Sequence, residues 1–159
     1  MIFCKIAGAL FLFLSGTLLA SHLNGELARR RTQAAAIEEW LRFVRGQIDC
    51  FAMPISDILL ISGRETLCEC GYFADVMPND FFEFLESAEI YDGDIEEALR
   101  ELGASFGGCY REEQLRACER CIEAVSQRRQ EMSAEIPKKK KLNATLCVSA
   151  ALAVAILLL

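Results

Sequence analysis

Residues 137–159 read PKKKKLNATLCVSAALAVAILLL: a proline, four consecutive lysines, then a run from residue 142 onward that holds no formal charge. About 18 such residues make ~27 Å of helix, which matches the hydrocarbon core of a bilayer. A second uncharged run covers residues 6–23, and Arg29, Arg30 and Arg31 follow it. This first run begins after Lys5 as a signal peptide would, but Leu18 stands where the cleavage pattern ending at Ala20 wants a small residue. The two runs together predict a transmembrane helix in residues 1–25 and a second in residues 138–159, the latter including its basic flank.

The basic clusters then orient the chain. Arg29, Arg30 and Arg31 leave the first span, and Lys138, Lys139, Lys140 and Lys141 enter the second; only Lys5 lies outside the two. Basic flanks stay on the cytoplasmic side. Residues 26–137 are therefore expected as a cytoplasmic domain, both chain ends as lying across the membrane, and the clusters as resting on anionic headgroups.

That domain has about 110 residues, enough for a modest core. Ile37, Leu41, Val44, Ile48 and Phe51 recur at steps of four and three, which predicts an amphipathic helix from near Glu26 to Ala52. Leu115, Cys118, Ile122, Val125 and Met132 predict another from Arg111 to about Glu135, with Pro137 breaking or kinking it. Both lead into spans on the same side, so they are expected to run antiparallel and pack seam to seam. Between them, residues 54–61 form a helix stopped by Gly63, with a buried strand as the alternative for the run ILLI. Phe81, Leu85 and Ala88 mark a second short helix. In a third, Asp94 caps, Glu97 completes the capping box, Ile95, Ala98, Leu99 and Leu102 form the apolar face, and Gly103 terminates. Strand alternation with hairpin turns is absent, so the fold class is all-α: a helical hairpin or bundle between two transmembrane helices.

Net charge is −6, and between residues 57 and 101 only Arg64 and Arg100 offset a dense series of Asp and Glu. Such a surface repels phosphate backbones and excludes nucleic acid as a partner. It is compatible with a basic protein partner, and equally with solvated helix faces that keep the domain soluble. Among the eight cysteines, Cys68, Cys70, Cys118 and Cys121 could supply a tetrahedral zinc site or a redox pair. Cys118-Glu119-Arg120-Cys121 lies within a predicted helix and lacks the turn glycine of a zinc knuckle, which favours core packing instead. The single histidine, His22, sits at the edge of the first run, far from any acidic cluster, and residues 62–66 lack the lysine and spacing of a phosphate loop. No catalytic residue and no cofactor are assigned.

The segments GTLLA (16–20), the triple arginine exit, WLRFVRGQIDCFAMPISDIL (40–59) and ELGASFGGCYREEQLRACERCIEAV (101–125) resemble the stage III sporulation protein AB family of spore-forming bacteria. The resemblance implies a non-enzymatic membrane platform in the channel complex between mother cell and forespore. Its cytoplasmic helical domain is similar to those of type II secretion and type IV pilus inner-membrane proteins. Implied partners are a secretion-type ATPase, other channel subunits and the membrane around the forespore, with self-association left open. Phe106, Gly107, Arg111, Gln114 and Leu115 carry over as the family motif, with a structural or partner-facing role. The alternative from the residues alone is a membrane-tethered zinc or thiol sensor.

Overall fold

The computed structural model describes the backbone of residues 2–106 and 110–158, with side chains for residues 14, 15, 18, 19, 21–106, 110–143, 145, 146 and 149. Five helices follow one another: α1 (Ile2–Phe51), α2 (Ile55–Glu69), α3 (Phe81–Ser87), α4 (Gly93–Phe106) and α5 (Arg111–Leu158). Among the described residues the one β-type contact is an isolated bridge between Tyr72 and Ala88. The fold is all-α. The chain divides into two compact units, residues 30–131 and residues 1–29 with 132–159.

Within residues 30–131 the long helices run antiparallel, as their partners show. Glu38 meets Arg129, Arg45 meets Glu119 and Asp49 meets Arg111, so partner numbers fall on α5 as they rise along α1. The α1 stripe holds for Ile37, Leu41, Val44 and Ile48, all buried. It fails at Phe51, which is 69% exposed because α1 ends there and Ala52 turns the chain with a positive φ of 49°. On α5 the buried line passes through Ala117, Cys118, Cys121 and Val125, while Leu115 and Ile122 stay half-buried. Of the expected stripe Cys118, Val125 and Met132 are buried, and the small side chains of Ala117 and Cys121 join them.

The middle helices corrected several expectations of where helices start and stop. The run ILLI is helical, and Gly63 interrupts it as expected, with φ 76° and ψ 155°, a backbone region that only glycine occupies readily. The helix then resumes to Glu69 instead of stopping. Asp80 caps α3 by accepting from the Glu83 backbone N–H at 2.8 Å. The cap of α4 is Asp92, not Asp94: its Oδ1 accepts from the Ile95 N–H at 3.4 Å, and α4 already begins at Gly93. Gly103 does not terminate α4, which runs on to Phe106. A Cβ there would lie 3.0 Å from Phe81 Cδ1, so this glycine lets the two helices approach.

The core of this unit is aromatic. Trp40 stacks on Phe81 (centroids 6.0 Å) and tilts against Phe84 (4.9 Å), and Tyr72 stacks on Phe84 (5.7 Å). Ile58, Leu59, Leu67, Leu99 and Leu102 close around it, all buried. Fully burying each such side chain contributes about 1.5–3 kcal/mol, which makes this cluster the centre of the unit's stability.

In the other unit the backbone of α1 before residue 30 and of α5 after residue 131 is helical. Pro137 lies inside α5 without ending it, so of the expected break or kink the break does not occur. Proline removes its own backbone donor and crowds the carbonyl four residues earlier, and the bonds on either side carry the helix through. Thr145 Oγ1 donates back to the Lys141 carbonyl at 2.8 Å, the local bonding by which a polar residue sits within a helix. Among the described residues no helix is long and apolar enough to cross a membrane. Most side chains of residues 6–23 and 142–159, where the two spans are expected, lie outside the described residues.

Candidate functional site

The motif at the α4–α5 turn can be followed side chain by side chain, except for Gly107, which lies outside the described residues. Phe106 ends α4 and packs edge-on against Phe81, with centroids 5.1 Å apart, so it extends the aromatic core. Arg111 opens α5 and reaches the end of α1. Its Nε donates to the Ile48 carbonyl at 3.2 Å, and Nη2 donates to the Asp49 carbonyl and, at 3.1 Å, to the Asp49 carboxylate. The last carbonyls of a helix have no partner within it and carry partial negative charge, so a guanidinium there satisfies acceptors and complements the dipole together. Gln114 and Leu115 are half-buried on the first turns of α5. Tyr110, just before them, is 83% exposed.

Three buried polar groups, none singled out by periodicity, hold the bundle in register. Gln33, 6% exposed, donates through Nε2 to the carbonyls of Cys70 (3.2 Å) and Glu89 (2.6 Å) and accepts from the Tyr91 N–H (2.9 Å). One amide thereby pins both loops that flank α3. Gly71 passes so close that a Cβ would meet Gln33 Nε2 at 2.4 Å, and its φ is +106°, so both space and conformation demand glycine there.

The carboxylate of Glu38, 4% exposed, accepts from Arg42 at 2.5 Å and from Arg129 at 2.7 Å. Asp92, 7% exposed, accepts from Arg128 through Nε and Nη2, at 3.1 Å to Oδ1 and 3.0 Å to Oδ2, while capping α4. Arg128 also meets Asp94 at 3.0 Å and Glu131 at 3.3 Å; the bond to Asp92 comes first in holding its guanidinium more firmly protonated than usual. Fork-to-carboxylate pairs of this kind fix geometry as well as charge. Asp94 is thus a partner of Arg128 and not the helix cap.

The four cysteines considered for chemistry stand as thiols: Cys70, Cys118 and Cys121 buried, Cys68 half-buried. Burial pushes Cys70 up to about 12, Cys118 up to about 11 and Cys121 up to about 12. That depletes the thiolate that a nucleophile requires. Among the described residues no three of His, Cys, Asp and Glu are placed to hold a metal ion. His22 has Glu26 at 3.8 Å, both side chains exposed, an interaction of adjacent helix turns. Of the cations expected to flank the membrane, Arg29, Arg30, Arg31, Lys138, Lys140 and Lys141 are exposed, and so is Lys139, which meets Glu135 at 2.6 Å.

What this geometry offers is an architecture for contact: a cross-braced helical bundle with acidic outer faces. No curated protein and no solved structure matches the chain. The model of the family described as stage III sporulation protein AB matches residues 73–159, which is more than half of the sequence and takes in the α4–α5 turn, the Arg128 cluster and the four lysines. The chain belongs to the stage III sporulation protein AB family.

Proposed function

We propose that this protein, whose family gives it a sporulation-related role, is a non-enzymatic membrane platform of the channel complex between mother cell and forespore. It crosses the membrane twice, through residues 6–23 and 142–159, and presents residues 30–131 to the cytoplasm. A secretion-type ATPase docks on that bundle, and the long helices pass its conformational change to membrane partners. The observation that carries this reading is the course of α1 and α5. Each leaves the bundle as uninterrupted helix, passes an exposed basic cluster and enters an uncharged run of about 18 residues. The contacts of buried Glu38 with Arg129 and of half-exposed Arg111 with Asp49 tie these two helices together within the bundle.

Affinity purification of the tagged chain from sporulating cells tests the proposal. It predicts recovery of a P-loop ATPase and other small membrane subunits, in amounts that fall when Arg111 is replaced by alanine. Reproducible purification without either would refute the coupling role.

A further inference from the structure

One open face of residues 30–131 mixes apolar with acidic side chains. Between α1 and α2 runs a groove of about 310 Å³ with Ala36, Glu39 and Phe43 on one wall and Ile61, Thr66 and Glu69 on the other. Its floor has no polar demand left. Trp40 Nε1 donates to Ser62 Oγ at 2.9 Å, and that hydroxyl donates to the Ile58 carbonyl at 2.7 Å. Large apolar groups nonetheless face solvent: Phe43 is 38% exposed and Ile61 52%, with Leu60 beside them at 61%. No lysine or arginine lines the groove; Arg42, next to Phe43 in sequence, is engaged by Glu38 at 2.5 Å, and Arg64 by Asp75 at 2.9 Å.

We infer that this groove docks a partner helix bearing an apolar ridge flanked by lysine or arginine. The shape of the site selects a helix: Ala36, Glu39 and Phe43 are spaced three and four residues apart on one ridge of α1, and a second helix seats in such a groove by interdigitation. Charge complementarity selects its flanks, because Glu39 and Glu69 on opposite walls, with exposed Glu65 one turn before Glu69, attract cations and repel lipid headgroups and phosphate. A second copy of this chain is a poor match through its own middle helices, where residues 57–101 hold only two arginines against many carboxylates. The inference uses residues 30–131 alone and stands independently of the two-span reading.

Trp40 is the sole tryptophan and lies on the groove floor, so its emission reports occupancy. The experiment titrates the full chain in a neutral detergent with a synthetic Leu/Lys amphipathic peptide of about 14 residues, ~21 Å as helix, carrying a benzophenone on its apolar face. The Leu/Glu peptide of the same pattern serves as the counterpart. The inference predicts saturable change in Trp40 emission and photo-adducts within residues 36–43 and 61–69 for the lysine peptide only. It predicts affinity weaker by at least about tenfold for both Phe43→Ser/Ile61→Ser and Glu39→Lys/Glu69→Lys. Glu86→Lys/Glu97→Lys, the same charge change at exposed positions elsewhere, keeps affinity within about twofold. Circular dichroism at wild-type helicity certifies each variant. Adducts outside the groove, equal binding of the two peptides, equal loss in the Glu86/Glu97 variant, absence of binding, or a dimer of the chain dissolved by Phe43→Ser/Ile61→Ser would each overturn it.

Discussion

A single amide, Gln33, does for the loops around α3 what a strand pairing does elsewhere. It gives two hydrogen bonds and receives one from backbone groups 37 to 58 residues away. Gln33→Leu keeps the volume but leaves two carbonyls and an N–H unsatisfied, so it is expected to lower stability by about 2–4 kcal/mol in urea unfolding. No pattern announces such a residue, because its partners lie on loops far along the chain and its own position is one turn before the apolar stripe begins. The thiols make the second residue-scale prediction. Unfolded cysteines ionise from the ordinary value of 9.0, whereas Cys70, Cys118 and Cys121 in the fold stay protonated toward about 12, 11 and 12. The unfolded state therefore sheds protons first, and stability present below pH 9 falls as pH rises above it, by up to about 1.4 kcal/mol per unit for each thiol. The urea midpoint should drop between pH 8 and pH 10.5, and Cys118→Ala/Cys121→Ala should make the drop shallower; an unchanged slope would contradict burial as the cause.

Elements show where local sequence suffices and where it does not. The stripe Ile37, Leu41, Val44, Ile48 was legible because burial on one side of a helix imposes a 3.6-residue period. The cap of α4 was not. Asp92 and Asp94 both suit the role, and the choice falls to Asp92 through Arg128, 36 residues further on. Gly103 has the local signature of a stop, yet its missing side chain serves the approach of Phe81. For the motif at the α4–α5 turn the resemblance implies a structural or partner-facing role without naming contacts, and those contacts come from distant parts of the chain: Arg111 reaches the carboxyl end of α1 and Phe106 packs on Phe81. Arg111→Ala is expected to cost about 1–2 kcal/mol, discounted for a side chain half exposed to water, and Arg111→Lys to recover part of that because one ammonium keeps the charge but loses the fork. Hydrogen exchange should localise the loss to the last turn of α1; uniform loss across the bundle would argue against a capping role.

At the scale of the whole molecule, the proposed membrane platform rests on the lysines before residue 142 and the arginines after residue 23. The arginines stand at the start of residues 30–131 and the lysines a short way past its end, each between the bundle and an uncharged run, and α1 and α5 continue as helix into those runs. As proposed, the platform acts by contact, and among the described residues Gln33, Glu38 and Asp92 brace the helices that carry it. Membrane vesicles from cells making the chain, prepared right-side-out and inverted, washed with carbonate and then treated with trypsin, test this most directly. The account predicts that the chain stays in the washed lipid fraction, that residues 30–131 are protected in right-side-out vesicles and that they are cut in inverted ones. Release by carbonate, or cleavage of the bundle in right-side-out vesicles with protection in inverted ones, would contradict it.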